Sequence, residues 1–440
     1  MPSDRPGEDS IADAIEETRL LDGTTGEDYA FALIEHGREH EEAHAELLRK
    51  LAGGQGARYL HLTTDRWDAV LATALGSCSF TAPVRERVRR LLSPEAVSYS
   101  GGPNKCALLA AALGVTVVHR RDSDQVADIR DGEKAFPGVL EAAAIGKAIT
   151  DLPKSSAPTE GGSAAHASIR FVGSSIFGDS GHDRRDLLAS GEEHLIALER
   201  LSRPGLTLSE LTAAAHRKFA VDPALRHEGD FWDSNDPGRV SVGVACVKDM
   251  FYELPEMPME NMLGSDYYNK SIAGALGYPV VYHSRKMRHT YDPVRAGNTD
   301  LPTVTSYALR DLRNVMFLPV RAGLCGAVAE RPDHFTDDAG HLRQDRLADQ
   351  LEGVYGQHAA GMREVPRRYS EIYATAAAKA PTALATRLRA VAEASARSSE
   401  TVLEELRKGV EDYSLLIRAW KELIANAGAK GSRLPQLSHT

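Results

Sequence analysis

Ser98-Tyr-Ser-Gly-Gly-Pro-Asn-Lys105, then CALLAAALG, then Val115-Thr-Val-Val-His-Arg-Arg-Asp-Ser-Asp124 is the stretch whose reading decides the fold. A glycine-rich turn opens a helix expected over Lys105–Leu113, Gly114 ends it, and a β-branched strand follows over Thr116–His119. That strand delivers Asp122 and Asp124 at its C-terminal edge, where ligands bind in open α/β sheets. Carboxylate oxygens suit hard cations such as Mn²⁺ or Mg²⁺, and an ion held by one or two carboxylates can take further ligands from a diphosphate. The tripeptide alone is weak evidence, since roughly one or two Asp-x-Asp arise by chance at this acidic content. A solvated turn with capping carboxylates is the alternative.

Outward from this segment, short apolar runs alternate with helical patterns from Arg19 to about Val281, the signature of a sheet with crossover helices. Strands are expected at Arg19–Leu21, Tyr59–Leu62, Ile169–Val172, Val240–Val247 and Val280–His283. Helices are expected at Asp28–Leu51, Trp67–Leu75, Gly138–Ala148, Asp183–Leu201, Leu208–Phe219 and Asp266–Leu276. Asp151–Ala167 is dense in Ser, Pro, Gly and Thr and reads as a lid-like loop. The expected organisation is an α/β catalytic domain over 1–330, a helical appendage over 341–428 and a disordered tail over 429–440. The appendage could cover a site on the α/β domain or form a homodimer, and composition does not separate these.

The 440 residues, 42% of them hydrophobic, can bury a large core. A net charge of -10 without a long basic stripe argues against nucleic acid as a partner. Four scattered cysteines with no Cys-x-x-Cys pair argue against a thiolate zinc site and a disulfide framework, which suits a reducing cytoplasm. The polar start and the lack of a run of about 18 apolar residues give no sign of a signal peptide or membrane span.

The order of Gly-rich turn with Asn104-Lys105, helix, apolar strand and Asp122-Ser123-Asp124 resembles that of metal-dependent glycosyltransferases of the A-type fold. The Asp-Ser-Asp form is similar to that of glucosyl-3-phosphoglycerate synthases. The resemblance spans about Ser3 to Tyr291 and implies a Rossmann-like mixed sheet, with a nucleotide half over about 1–125 and an acceptor half over about 165–300. It implies a UDP- or GDP-sugar donor and a small-molecule acceptor, with Mn²⁺ or Mg²⁺ on the diphosphate. Asp122, Asp124 and His289 would be the metal ligands, with His289 preferred to His283. Arg5, in a Met1-Pro-Ser-Asp-Arg5-Pro start that looks like the end of the family's first strand, would meet the nucleotide together with Asp22, Asn104, Lys105, Asp122 and Arg288. Arg285 and Lys286 lie beside Arg288 and could help neutralise phosphate.

Asp266 matches the place of the family's acidic acceptor-side residue, with Glu260 as substitute, and a carboxylate there can take the acceptor's proton. The plainer reading makes Ser265 an N-cap and Asp266 a first-turn acid. Asp179 and Asp183 sit in a small-residue loop suited to sugar contact. Rival classes are a nucleotidyltransferase on a related sheet, a non-catalytic interaction protein, and a zinc hydrolase using His36, Glu39 and His40, which match His-x-x-Glu-His.

Overall fold

The computed structural model describes residues 1–52, 58–94, 98–152, 155–156, 167–178, 184–217, 231–233, 241–290 and 300–429. The tail 430–440, most of the lid-like loop, Asp179, Asp183 and Tyr291 lie outside the described residues.

The fold is mixed α/β with a large helical share. Strands β1 (Pro2–Ser3), β2 (Phe31–Glu35) and β3 (Tyr59–Leu62) form a parallel sheet in that order. The remaining strands are β4 (Val117–Arg121), β5 (Gln125–Arg130), β6 (Glu133–Ala135), β7 (Ser155–Ser156), β8 (Phe171–Ser174), β9 (Ile176–Gly178), β10 (Phe231–Asp233), β11 (Ser241–Lys248), β12 (Val280–His283) and β13 (Met287–His289). A six-stranded mixed sheet runs β4-β11-β8-β12-β10-β7, and a four-stranded one runs β6-β5-β13-β9. The turn Asp122–Asp124 is where the chain leaves the larger sheet through β4 and enters the smaller through β5.

Two sequence expectations near the N-terminus are corrected. Arg19–Leu21 is not a strand but part of helix α1 (Glu8–Thr25), whose first turn carries Glu8 and Asp9 toward the positive end of the helix dipole. The expected helix Asp28–Leu51 is instead β2 followed by α2 (Glu41–Ala52). Phe31, Leu33 and Ile34 are buried between helices, and pairing with β1 and β3 overrides the helical propensity around them. The other expected strands, from Tyr59 onward, fall within two residues of expectation, while β5, β6, β7, β9, β10 and β13 were not expected. Helix α3 spans Thr64–Gly76, α4 spans Ala82–Leu92, α5 spans Gly101–Leu113 and α6 spans Gly138–Ala144. Helix α5 ends at Gly114, with φ 66°, as its sequence predicts.

The expected helix Asp183–Leu201 is two, Arg185–Ser190 and Glu192–Ser202, separated by Gly191. The expected start at Asp266 is also displaced: the helix runs Tyr268–Ala275, and Ser265 does not cap it. Its first amides, Tyr268 N and Asn269 N, donate instead to the buried carboxylate of Glu256 at 2.7 and 3.3 Å.

The helices from Leu301 onward share their core with the rest. The last, Ser399–Ala429, packs Tyr413 against Tyr268 and places Leu416, Trp420 and Leu423 among Trp67, Leu71 and Leu108 of α3 and α5. Helix Leu301–Glu330 is long and apolar enough by composition to cross a membrane, yet its Asp311 is fully buried and paired with Arg184 at 2.7 Å. Cys106, Cys246 and Cys325 are free thiols.

Candidate functional site

Side chains alternate along β4, and the two faces do different things. On one face, buried Arg121 is bonded to Glu17 of α1 at 2.8 Å and Glu141 of α6 at 2.9 Å, while His119 Nδ1 meets Glu141 at 2.6 Å. This network ties the strand to both helices. On the other face, Arg120 Nη2 donates to Asp266 Oδ2 at 2.8 Å and to Asp122 Oδ1 at 3.1 Å. One guanidinium thus joins two carboxylates that are 144 residues apart in sequence.

Asp124, two residues further on, faces a different pair. Its Oδ2 lies 3.2 Å from Arg5 Nη1 and 3.3 Å from His289 Nε2. His289 reaches it because β13 pairs antiparallel with β5, setting His289 opposite Gln125. Thr290 clamps the same point, its N and Oγ1 donating to the Asp124 carbonyl at 2.8 and 3.1 Å. Arg5 arrives from the β1–α1 loop, where Gly7, in the left-handed region at φ 48°, lets the helix start pass close to the Ser123 carbonyl.

Gly243 of β11 makes room for Asp122. A Cβ there would stand 2.1 Å from Asp122 Oδ2 and 2.6 Å from Gln125 Nε2.

The electrostatics follow from these partners. Burial pushes the Asp124 carboxyl up, but the His289 hydrogen bond and charge and the Arg5 guanidinium outweigh it, and the net shift is downward. Asp266 is shifted upward: burial raises it, Arg120 pulls the other way, and Asp122 adds repulsion. Glu256 is pushed up to about 8 by burial, with the Asp266 charge adding to it.

Of the sequence candidates, Arg5, Asp122, Asp124, Asp266 and His289 converge. His283 lies in the core, 3.8 Å from Glu141. Arg288 is exposed on β13 beside His289, and Arg285 donates to the Phe136 carbonyl at 2.9 Å. Glu260 is exposed on the turn at Asn261.

Asp22 sits near the far end of α1, accepting from Tyr29 N at 3.1 Å. That is about 22 Å of helix rise from the Gly7 end. Its placement in base contact presumed the strand Arg19–Leu21, and that strand is α1. Asn104 exchanges two bonds with the backbone of Glu256, at 2.9 and 2.8 Å. Lys105 donates to the Glu35 carbonyl at 3.1 Å, lies over Trp67, and has its pKa lowered to about 8 by burial, which nearby acids only partly offset.

Arg120, Glu256 and Gly243 escaped the sequence reading. Arg120 carried a signal, standing two residues before Asp122 and therefore on the same strand face. Glu256 and Gly243 carried none.

The His-x-x-Glu-His pattern is not helical: His36 to His40 form the bend between β2 and α2, so the zinc-hydrolase reading loses the geometry it needs. Among the described residues no three His, Cys, Asp or Glu side chains group as a ready metal cage. The 3.3 Å between Asp124 Oδ2 and His289 Nε2 nevertheless matches the roughly 3 Å between neighbouring ligands of an octahedral ion with bonds of about 2.1 Å. An ion held there by Asp124 and His289 would have to replace the proton of their hydrogen bond and take its remaining ligands from phosphate oxygens. A cavity of about 870 Å³ lies behind the site between α1, α5, β2 and β4, and its walls include Arg120 but neither Asp122 nor Asp124.

Fold and site together define a mixed α/β protein with a carboxylate, arginine and histidine cluster beyond a strand edge. The chain belongs to the family of unknown function DUF6271, whose model matches residues 1–436. No curated protein matches it.

Proposed function

We propose that this protein is a glycosyltransferase of the A-type fold that moves a sugar from a nucleoside diphosphate sugar to a small-molecule acceptor. The observation carrying the proposal is the Asp122–Arg120–Asp266 bridge, which couples the Asp-Ser-Asp turn to a buried carboxylate on the expected acceptor side. That coupling suits a reaction whose donor and acceptor ends must be held together.

Asp124 and His289 would hold Mn²⁺ or Mg²⁺, with Asp122 beside them. Bound there, the ion would supply charge neutralisation to the departing diphosphate. Arg5 meets the phosphate oxygens, whereas Arg288 alternates with His289 on β13 and points to the other face. Asp266 takes the proton of the acceptor hydroxyl as its oxygen bonds to the anomeric carbon, while the bond from that carbon to phosphate breaks and the nucleoside diphosphate leaves with the electron pair. The raised pKa of Asp266 supports this role, because a carboxyl poised above its ordinary range is a stronger base. Ordinary helix capping does not account for Asp266, since Glu256 caps that helix.

The test is a thermal-shift and calorimetric screen of nucleoside diphosphates and their sugars with and without Mn²⁺. A Mn²⁺-dependent stabilisation that disappears in Asp124→Asn supports the reading. No shift with any nucleotide, or an unchanged one in the variant, overturns it.

A further inference from the structure

Beneath Arg5 lies a second buried cluster that the proposed chemistry does not use. Glu35, at the end of β2, places Oε1 2.8 Å from His44 Nδ1 of α2 and 2.6 Å from His61 Nε2 of β3. Glu35 and His44 are each about 1% exposed. The opposite nitrogen of His44, Nε2, faces two backbone carbonyls, Arg5 O at 3.0 Å and Pro6 O at 2.9 Å.

Carbonyl oxygens only accept, so Nε2 must carry a proton. On the other side a single Glu35 oxygen faces two imidazole nitrogens at once. A carboxylate there accepts from both, while a carboxylic acid would meet both only by donating its one proton to His44 Nδ1 and accepting from His61 Nε2. Both arrangements keep the Nε2 proton on the two carbonyls, and the one with an ionised Glu35 and His44 protonated on both nitrogens matches the charges that the pair stabilises in each other. Other charged or titratable neighbours are His40, with its ring 5.8 Å from that of His44, and Lys105, bonded to the Glu35 carbonyl.

We propose that His44 is a cationic positioning residue which pins the Arg5–Pro6 peptide and thereby aims the Arg5 guanidinium at Asp124. The loop is also held by Ser3 Oγ, which donates to the Arg5 carbonyl at 2.9 Å, and by the Arg5 Nε bond to Asp4 Oδ1 at 2.9 Å. β1 contributes two residues, and the next fixed point is Gly7, where α1 begins against Ser123. Both carbonyls captured by His44 lie between these points, so losing the positive charge weakens the Nε2 bonds and loosens the segment that carries Arg5. The lowered pKa of Glu35 and raised pKa of His44 agree, burial opposing each shift and their mutual bonds and charges prevailing. Arg5's part in diphosphate binding rests on the proposed function; the positioning of the loop does not.

The experiment uses the full chain. Long-range ¹H–¹⁵N spectra at pH 7 should show one imidazole protonated on both nitrogens that disappears in His44→Asn; a neutral His44 in the wild type overturns the proposal. In Glu35→Gln, His44 should become neutral, weakening a charge-assisted hydrogen bond. Exchange of the Ile11 and His36 amides, which donate to Gly7 and Ser3 at either side of the loop, should then quicken about tenfold. Unchanged exchange at both amides in a folded Glu35→Gln protein also overturns it. Affinity for Mn²⁺-UDP, where the wild type binds it, should fall about tenfold in the same variant. A wild type that binds no nucleotide but shows the imidazolium and the loosened loop sinks the function reading and upholds the positioning role.

Discussion

Gly243→Ala isolates the Asp-Ser-Asp turn from everything else that could fail. The added Cβ would lie 2.1 Å from Asp122 Oδ2, and ordinary contact begins at 3.4 Å, so the carboxylate must retreat by 3.4 − 2.1 = 1.3 Å or β11 must shift. The register with β8 is interrupted between Ser241 and Ala245 and that with β4 starts at Val244, while Val242 and Val244 on either side of Gly243 are buried. The atoms in the way are the ends of the Asp122 and Gln125 side chains, which move more readily than backbone flanked by buried valines, so the displacement falls mainly on them. Overpacking of this kind costs about 1–3 kcal/mol of stability. A displacement of about 1 Å at a reacting site can cost on the order of 100-fold in rate. The assay pairs calorimetric affinity for Mn²⁺-nucleotide with kcat/KM for nucleoside diphosphate release, against Gly23→Ala, where nothing lies within 4 Å of the new methyl, as control. The expected result is a folded variant with nucleotide affinity or kcat/KM reduced by about two orders of magnitude. A folded Gly243→Ala protein matching the control in both would refute the claim that Gly243 holds Asp122 in its working position.

Arg120→Met should leave Asp122 and Asp266 facing each other without their shared cation, destabilising the fold by about 3–5 kcal/mol as for other broken buried pairs, measured by denaturant titration. Asn104→Ala removes both bonds to the Glu256 backbone and should cost about 2–4 kcal/mol, which a matched denaturation curve would read. Glu256 gives a pH signature: its folded pKa of about 8 exceeds the ordinary 4.5, so the native state holds a proton that the unfolded state releases in between. Its contribution to stability is therefore present below about 4.5 and is lost as pH rises toward about 8. Glu256→Gln should flatten that slope, leaving stability near pH 4 unchanged and raising it near pH 8.5. Asp124 has the opposite sign, since its folded pKa is depressed. Its stabilisation is present above the unfolded value and lost as pH falls through the folded one, so Asp124→Asn should reduce the loss of stability on acidification.

Local pattern was not enough for β5, β13 or the start of α5 at Gly101, but it was enough for some elements around the site: the stop of α5 at Gly114, the strand carrying Val117 and Val118, the turn Asp122–Asp124 and the strand Val280–His283. Each rests on neighbours in sequence, through glycine conformation, β-branching and strand period. Nearby residues misled where long-range pairing prevailed. Phe31–Glu35 is a strand because β1 and β3 flank it, and Arg19–Leu21 is helical because α1 continues through it to Thr25. Asp266 was visible as an acid before a helix, but Glu256 took the capping duty from twelve residues upstream. No local rule specifies which carboxylate an amide will find across a fold. The residue types of the candidate site were legible because carboxylates, histidine and arginine declare their chemistry wherever they stand. Only the tertiary structure brought Arg5, Arg120, Asp266 and His289 to the two aspartates, through β13 pairing with β5 and one guanidinium spanning both carboxylates, since those contacts depend on distances between segments that sequence spacing does not encode.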